Sequence, residues 1–499
     1  MTMTKSILKK LQYLMLLLMI VTIPVISMPK AYKILGFGSK LYLYPLLIGV
    51  ILFSFEAIKF KTKLNLQICK YLLLLIFIQF TITFYGIVKF PYYSDINVLT
   101  NEKIVLIANF LNIGLADNLM LFKYGFMFLL SVKILISEFI VEWLLLFWVF
   151  HLFQNDFSNG FKKIRSMFII LAILLSIYAI PEVLLFKFNM QIGYDILCYL
   201  NPYLYDVGNY LNWYPPIIYP NHGLKSYCIE PGFMGLLAAT ILPFLFSFIF
   251  EYKKNILLYI FYSYFMMILF MTKSRTANVI IYIYSILFLC YSAFFRNLKK
   301  YALLILLTCM AFFGAVFENS DIDQNLFTLV DTYYTSNIDT IMSTTARSNG
   351  TRLNNILIHL NVFKDNLLFG TGAGLKDLYI ADMINGDALK DIELKAITEG
   401  IRSEGIFKYS YGNVNHYTYI LTNYGLVGFI MYFLPFLFAV YKVWRSKAYV
   451  NKEIAVLLIA LLLNLVAMMV GNPFSVVFII LGLLYVKVFD NNIIKKEEI

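Results

Sequence analysis

The sequence predicts an all-α polytopic membrane protein with about twelve transmembrane helices and one large extracytoplasmic loop. Three observations predict it. Hydrophobic residues make up 61% of the chain and charged residues only 14%, with a mean hydropathy of +0.75; a soluble domain carries roughly 25% charged residues. Apolar runs of about 18 to 22 residues recur along the whole length, each long enough to cross roughly 30 Å of hydrocarbon. Lys and Arg gather in alternate loops, as they do on the cytoplasmic side of membrane proteins. Inside a bilayer the backbone must satisfy its own hydrogen bonds, so each run is a helix.

The expected spans are 11–28, 41–58, 70–89, 122–150, 166–186, 232–250, 256–272, 276–295, 301–317, 419–441, 453–470 and 474–489. The first follows Lys5, Lys9 and Lys10, lacks an obvious small-residue cleavage site, and reads as an uncleaved helix. The fourth is the weakest, being long and interrupted by Lys133, Glu138 and Glu142. Counted as one span, it puts the basic groups at 59–63, 162–165, 253–254, 296–300, 442–447 and 495–496 on the side of the N-terminal tail. Counted as two, it breaks that pattern. The rule therefore favours twelve spans with both termini cytoplasmic.

The domain organisation follows: 1–317 holds nine helices, 318–418 is the large outer loop, and 419–499 holds three helices and the tail. Shorter polar segments at about 91–120 and 187–231 share the outer side. A polar insert of about a hundred residues is longer than ordinary connections and is usually functional, so chemistry is expected on the outer face. Within it, "TRLNNILIHLNVFKDNLLF" has apolar positions at helical spacing and predicts an amphipathic helix. The net charge of +12 is explained by the basic loops, and no basic, aromatic-interleaved domain argues for nucleic acid. The five cysteines lack metal-type spacing, and Cys198 and Cys228 share one loop where they would pair only outside the cytoplasm.

Four stretches carry candidate chemistry. In "MTKSRTANVI", Arg275 opens a helix, where free N–H groups and the helix dipole favour an anion and a guanidinium adds a bidentate fork. A headgroup-anchoring Arg is the plainer reading. In "STTARSNGTRLNN", Arg347 and Arg352 stand at the start of the amphipathic helix; taken alone, they read as solvated charges. In "SYCIEPGFMGLLAA", Glu230 precedes Pro231 at the mouth of span six, where it would bind a sugar hydroxyl, pair with an Arg, or merely stabilise a helix start. In "GNVNHYTYILTNYGLVGF", His416 stands where the polar loop meets a span. Of the other three histidines, His151 lies near the cytoplasmic end of span four, His222 in a Pro-rich loop, and His359 on the amphipathic helix, where it reads as packed. "FGTGAGLKD" lacks the preceding strand of a nucleotide loop and reads as a tight turn. The lone "DID" at 321–323 is too weak to assign a metal.

In this order and at these spacings, "EPGFMG", "TKSRTANV", "STTARSNGTR…FGTGAG" and "NHYTYILTNYGLVGF" resemble the bacterial O-antigen polymerase/ligase superfamily, over residues from about 225 to 435. The resemblance implies a C-type glycosyltransferase-like fold and transfer of a glycan from an undecaprenyl-pyrophosphate carrier to a sugar hydroxyl on the outer membrane face. It implies no metal, nucleotide sugar or other cofactor. The partners it implies are the lipid-linked donor and acceptor, the bilayer, and flippase and chain-length regulator proteins of the same pathway. By motif position it implies pyrophosphate binding by Arg275, Arg352 and, less closely matched, Arg347, and catalysis by His416. Members often have Asn after the histidine, whereas this chain has Asn415 before it and Tyr417 after it.

The "EPG" motif and Tyr-rich character favour a repeat-unit polymerase for O-antigen or capsule over a ligase that moves polymer to lipid A-core. A flippase or other transporter is the competitor from another class. It should bury charge at mid-membrane, whereas here Lys133 is the main exception among apolar spans. Cysteines introduced as Lys163→Cys and Asn349→Cys are predicted to label from opposite sides of the membrane; labelling of both by an impermeant reagent in intact cells would contradict the twelve-span topology.

Overall fold

The computed structural model describes residues 2–29, 39–100, 102–115, 117–205, 223–252, 255–294, 347–384, 391–406, 409–471 and 475–489. All of its regular structure in these residues is helical. In chain order the helices are α1 (Thr2–Thr22), α2 (Leu43–Phe60), α3 (Leu66–Lys89), α4 (Glu102–Phe110), α5 (Leu119–Phe153), α6 (Phe157–Phe188), α7 (Gln191–Leu204) and α8 (Pro231–Glu251). They continue as α9 (Ile256–Met271), α10 (Arg275–Phe294), α11 (Arg347–Asp365), α12 (Lys376–Met383), α13 (Ile392–Glu404), α14 (His416–Arg445), α15 (Lys452–Ala467) and α16 (Val476–Val488).

Each expected span except 301–317, which lies outside the described residues, coincides with one of these helices. Six of them, α2, α3, α5, α6, α8 and α14, are long and apolar enough to cross a membrane, and α9, α10 and α16 are shorter apolar helices. The shortest, α16, has 13 residues, about 20 Å at 1.5 Å per residue. Large apolar side chains such as Ile51, Phe77, Leu129, Ile260 and Leu437 are more than half exposed, as the lipid-facing wall of a bundle requires. The first helix stops earlier than the apolar run suggests, because Pro24 pushes the residue before it out of helical backbone.

The uncertain fourth run is one rod. α5 is anchored at its first turn by Lys123 Nζ, which donates to the carbonyls of Tyr93 and Ser94 at 2.6 and 3.0 Å. At its far end the Asn65 amide reaches His151 Nε2 at 3.5 Å. Midway, Phe139–Leu144 widens into a π turn immediately after Glu138.

The two ends of the bundle differ in chemistry. At one end the basic loops meet: Lys163 lies 3.4 Å from the Tyr13 ring centroid, Arg165 pairs with Glu251, and Ser158 Oγ donates to Glu453 at 3.1 Å. At the other end a second, smaller core joins Phe90, Tyr93 and Ile104 to Val362, Leu378, Leu394 and Tyr411. The segment after α3 and the large polar loop thus fold onto each other. They also lie at the same end of the bundle, as the charge pattern predicts.

One break makes that docking tight. Gly425 interrupts α14 with φ +62°, so carbonyls before it and amides after it lose their helical partners. The turn 367–372 supplies replacements. Thr371 N and Gly372 N donate to the carbonyls of Thr422 and Asn423, both at 2.8 Å. Leu426 N and Val427 N donate to the carbonyls of Leu367 and Leu368 at 2.9 and 3.2 Å. The backbones approach so closely that a Cβ on Gly425 would sit 2.4 Å from the Leu368 carbonyl, and one on Gly370 2.6 Å from Asn423. The "FGTGAG" glycines therefore serve this turn, as its sequence context suggests. Gly425→Ala and Gly370→Ala are predicted to cost more than the roughly 1–2 kcal/mol of a left-handed residue alone, because backbone also collides. Gly125→Ala, whose Cβ meets nothing within 4 Å, is the control. Thermal midpoints by fluorescence-detected size exclusion should fall for the first two and hold for the third; equal midpoints would contradict the fit.

Candidate active site

His416 is the first residue of α14, and Asn415 builds that start. The Asn415 carboxamide oxygen accepts from Thr418 N at 3.1 Å, satisfying one of the amides a helix start leaves open. Its Nδ2 donates to the Met469 carbonyl at 2.9 Å, and His416 N donates to the Met468 carbonyl at 2.8 Å. The α14 start is thereby bound to the end of α15. The ring is turned inward and only 3% exposed. Its Nε2 lies 2.9 Å from the Tyr432 hydroxyl, and the Tyr419 ring flanks it at 5.9 Å between centroids.

Arg275 opens α10, as the sequence predicts. Thr272 ends α9, Lys273 takes a left-handed conformation at φ +53°, and Ser274 Oγ accepts from Ala277 N at 3.4 Å. Glu230 is the residue before α8 and stands in extended backbone, but its carboxylate makes no capping hydrogen bond. The two helix starts are adjacent. A Cβ on Gly235 would lie 2.6 Å from Ala277 N, and Leu224 N donates to the Met271 carbonyl at 3.1 Å. Gly471, just beyond α15, packs near Leu236. The starts of α8, α10 and α14, carrying Glu230, Arg275 and His416, thus share one end of the bundle.

The approach to α8 is held by a carboxylate that sequence reading passed over. Glu182 of α6 accepts from the amides of Lys225 and Ser226 at 3.1 and 2.8 Å. Lys225 in turn lies 4.3 Å from the Tyr205 ring centroid. Cys198 and Cys228 are free thiols; Cys228 is buried beneath this segment, where burial pushes its pKa up.

Arg347 is the first residue of α11, and Arg352 follows in its second turn with an exposed side chain. Thr351 turns inward and donates to Asp391 at 2.5 Å. The other face, through Asn355, Ile358, His359 and Val362, is buried, so the helix is amphipathic as predicted. His359 Nδ1 lies 3.2 Å from Thr422 Oγ1, while Leu367 and Leu368 meet Leu426 and Val427. α11 and α14 therefore run the same way, with the arginine-bearing start of α11 toward the His416 end. Burial, with Lys376 adding to it, lowers the His359 pKa to about 3. That ring is a neutral packing element. His222 and residues 321–323 lie outside the described residues.

The largest omission of the sequence reading is a carboxylate pair on α5. Glu138 accepts from the hydroxyls of Tyr419 and Tyr424, the latter at 2.5 Å. Glu142, on the π turn, stands within electrostatic reach of Tyr432. The sequence marks both only as interruptions in an apolar run. An ionisable residue within a span is itself a signal of function, and the Tyr-rich face of α14 held the partners.

Residues 258–433 match the family model described as O-antigen ligase. The match supports the O-antigen polymerase/ligase superfamily. No curated protein matches the chain. The matched stretch includes Arg275, Arg347, Arg352 and His416; Glu138, Glu142 and Glu230 lie before it. The long apolar helices are those of a polytopic membrane protein.

Proposed function

We propose that the protein is a polymerase that joins undecaprenyl-pyrophosphate-linked oligosaccharide repeat units into a surface polysaccharide. Transfer takes place at the outer face of the cytoplasmic membrane, with both termini inside. The observation that carries the reading is the convergence of His416 and Arg275, two motif positions of the superfamily, at the bundle end that holds the large polar loop.

The chemistry fits these residue types. The acceptor hydroxyl attacks the anomeric carbon of the donor. The bond from that carbon to the pyrophosphate oxygen breaks, and its electron pair leaves with the lipid pyrophosphate. That leaving group is already acidic and needs charge stabilisation rather than a proton; Arg275 and Arg352, with Arg347, supply it. The hydroxyl is a poor nucleophile, and neutral His416 takes its proton. Glu230, at the start of α8, would accept a hydrogen bond from a sugar hydroxyl. The enclosed ring implies that the acceptor reaches His416 by entering between the helix starts.

The second reading is a ligase that transfers finished polymer to lipid A-core, which the description of the matching family favours. Both readings share the residue roles. For the purified protein at matched folded concentration, His416→Gln is predicted to lose about 10²–10⁴ in transfer rate, the usual worth of a general base, while still binding the lipid-pyrophosphate donor. Arg275→Lys and Arg352→Lys should express normally and lose most transfer, since an ammonium does not reproduce the guanidinium fork. Wild-type-like rates in the Gln variant would remove His416 from the mechanism, and wild-type-like rates in both Lys variants would reduce those arginines to surface charges.

A further inference from the structure

We infer that residues 416–424 form a re-entrant arm, clasped by Tyr417, that holds His416 inside the membrane span, so that sugar transfer takes place below the outer headgroup layer. Transfer at that depth rests on the function proposed above; the arm and its depth stand on distances alone.

A straight helix forbids the contacts that α14 makes with itself. His416 and Tyr432 are 16 residues apart in sequence, about 24 Å along an unbroken helix. Yet their rings lie 5.3 Å apart between centroids, and His416 Nε2 is 2.9 Å from the Tyr432 hydroxyl oxygen. Tyr417 and Phe433, spaced the same way, stack at 5.0 Å and 11°. Both contacts require the residues before Gly425 to fold back along the residues after it. Gly425, with φ +62°, is the turn of that hairpin.

Three neighbouring helices serve as rulers for the depth. From Tyr432 to Arg445 at the basic end, α14 rises about 20 Å. α15 has 16 residues from the same end, about 24 Å. The carbonyls of Met468 and Met469, just beyond it, accept from His416 N and Asn415 Nδ2. α3 measures from the opposite end. The Ile82 side chain would lie 3.7 Å from a Cβ on Gly428, and from Ile82 to the α3 end at Lys89 is about 10 Å. Tyr432 lies about 6 Å deeper than Gly428. The histidine thus sits about 20 Å above the basic end and about 16 Å below the Lys89 end, within a hydrocarbon layer roughly 30 Å thick.

Backbone that leaves a spanning helix at such depth persists only where protein or water satisfies it, and the end of α15 does so here. Tyr417 completes the joint. Its hydroxyl donates to the Leu465 carbonyl at 2.9 Å while its ring stacks on Phe433. One side chain therefore clasps the arm to both α14 and α15, next to His416, and acts as a positioning residue. On α8, Leu236 packs near Gly471 just beyond α15, and Glu230 stands about 9 Å further out. The Arg275 start of α10 is level with the first turn of α8, since Ala277 lies against Gly235. A pyrophosphate held there is met first, and its sugar is drawn inward to His416.

Spin labels test the arm and its depth in full-length protein in liposomes, with the native cysteines replaced. Labels at Val414→Cys and Leu434→Cys should lie within about 20 Å of each other, whereas a straight α14 would hold them about 30 Å apart; the longer distance would overturn the arm. Nickel-chelating lipid headgroups should relax a label at Val88→Cys strongly and one at Met469→Cys weakly, both positions being exposed. Equal relaxation would overturn the depth. Tyr417→Ala should broaden the Val414–Leu434 distance and lower kcat about a hundred-fold, the scale of a small misplacement of a reacting group, with KM for the donor little changed. Tyr417→Phe keeps the stack and should retain most of the rate. A Tyr417→Ala variant with the wild-type distance and wild-type kcat would remove Tyr417 as the clasp. If that variant does not fold, the distance and relaxation measurements still decide. An active His416→Gln would defeat the base role alone, leaving the arm and its depth to be read independently.

Discussion

The arrangement depends on the break in α14 at Gly425. A helix in a low-dielectric bundle cannot leave its carbonyls and amides unpaired, since each unsatisfied group costs several kcal/mol in hydrocarbon. The turn 367–372 satisfies them from outside the helix, with four backbone hydrogen bonds of 2.8 to 3.2 Å. The repair also ties the polar loop to the bundle. It adds to the register that His359 and Thr422 set between α11 and α14, and so helps to fix the arginine-bearing start of α11 relative to the His416 end. Gly86 of α3 adds to the joint, because a Cβ there would lie 2.2 Å from the Thr371 carbonyl.

A second constraint acts one turn away. The first half of α14 presents Tyr419 and Tyr424 to Glu138, and beyond the break the Tyr432 hydroxyl lies 2.9 Å from His416 Nε2. Buried polar groups are costly unless they are paired, and here Glu138 takes two phenols while the imidazole meets a third. Tyr432 therefore holds the histidine from behind, while the helix starts of α8 and α10 bring Glu230 and Arg275 alongside its end of the bundle. Rigid positioning by packed elements is what a general base needs, since its efficiency depends on hydrogen-bond-range geometry.

Much of this was legible in the sequence for physical reasons. Apolar runs gave helices because nothing else closes backbone hydrogen bonds in a membrane. The start at Arg275 was legible because "TKSR" ends one helix and caps the next, and the amphipathic spacing of 351–369 located α11. His359 was legible as packed from its apolar neighbours. The carboxylates of α5 were not, because their meaning lies in partners almost three hundred residues away and across a helix break that shifts the facing of Tyr432 relative to Tyr419. Read along the chain, Glu138 and Glu142 weaken a span; read in three dimensions, Glu138 ties α5 to the tyrosine face of α14 beside the candidate site. Glu182 escaped for the same reason, since it binds backbone amides that no side-chain pattern announces.

The central claim, polymerisation by a site built around His416, is tested most directly by supplying purified protein in liposomes with one lipid-pyrophosphate-linked repeat unit and no other acceptor. The account predicts a ladder of products of increasing length, with one lipid pyrophosphate released for each linkage formed, and no ladder from His416→Gln. Products that form only when finished polymer and lipid A-core are supplied, or a ladder that persists in the His416→Gln variant, would contradict it.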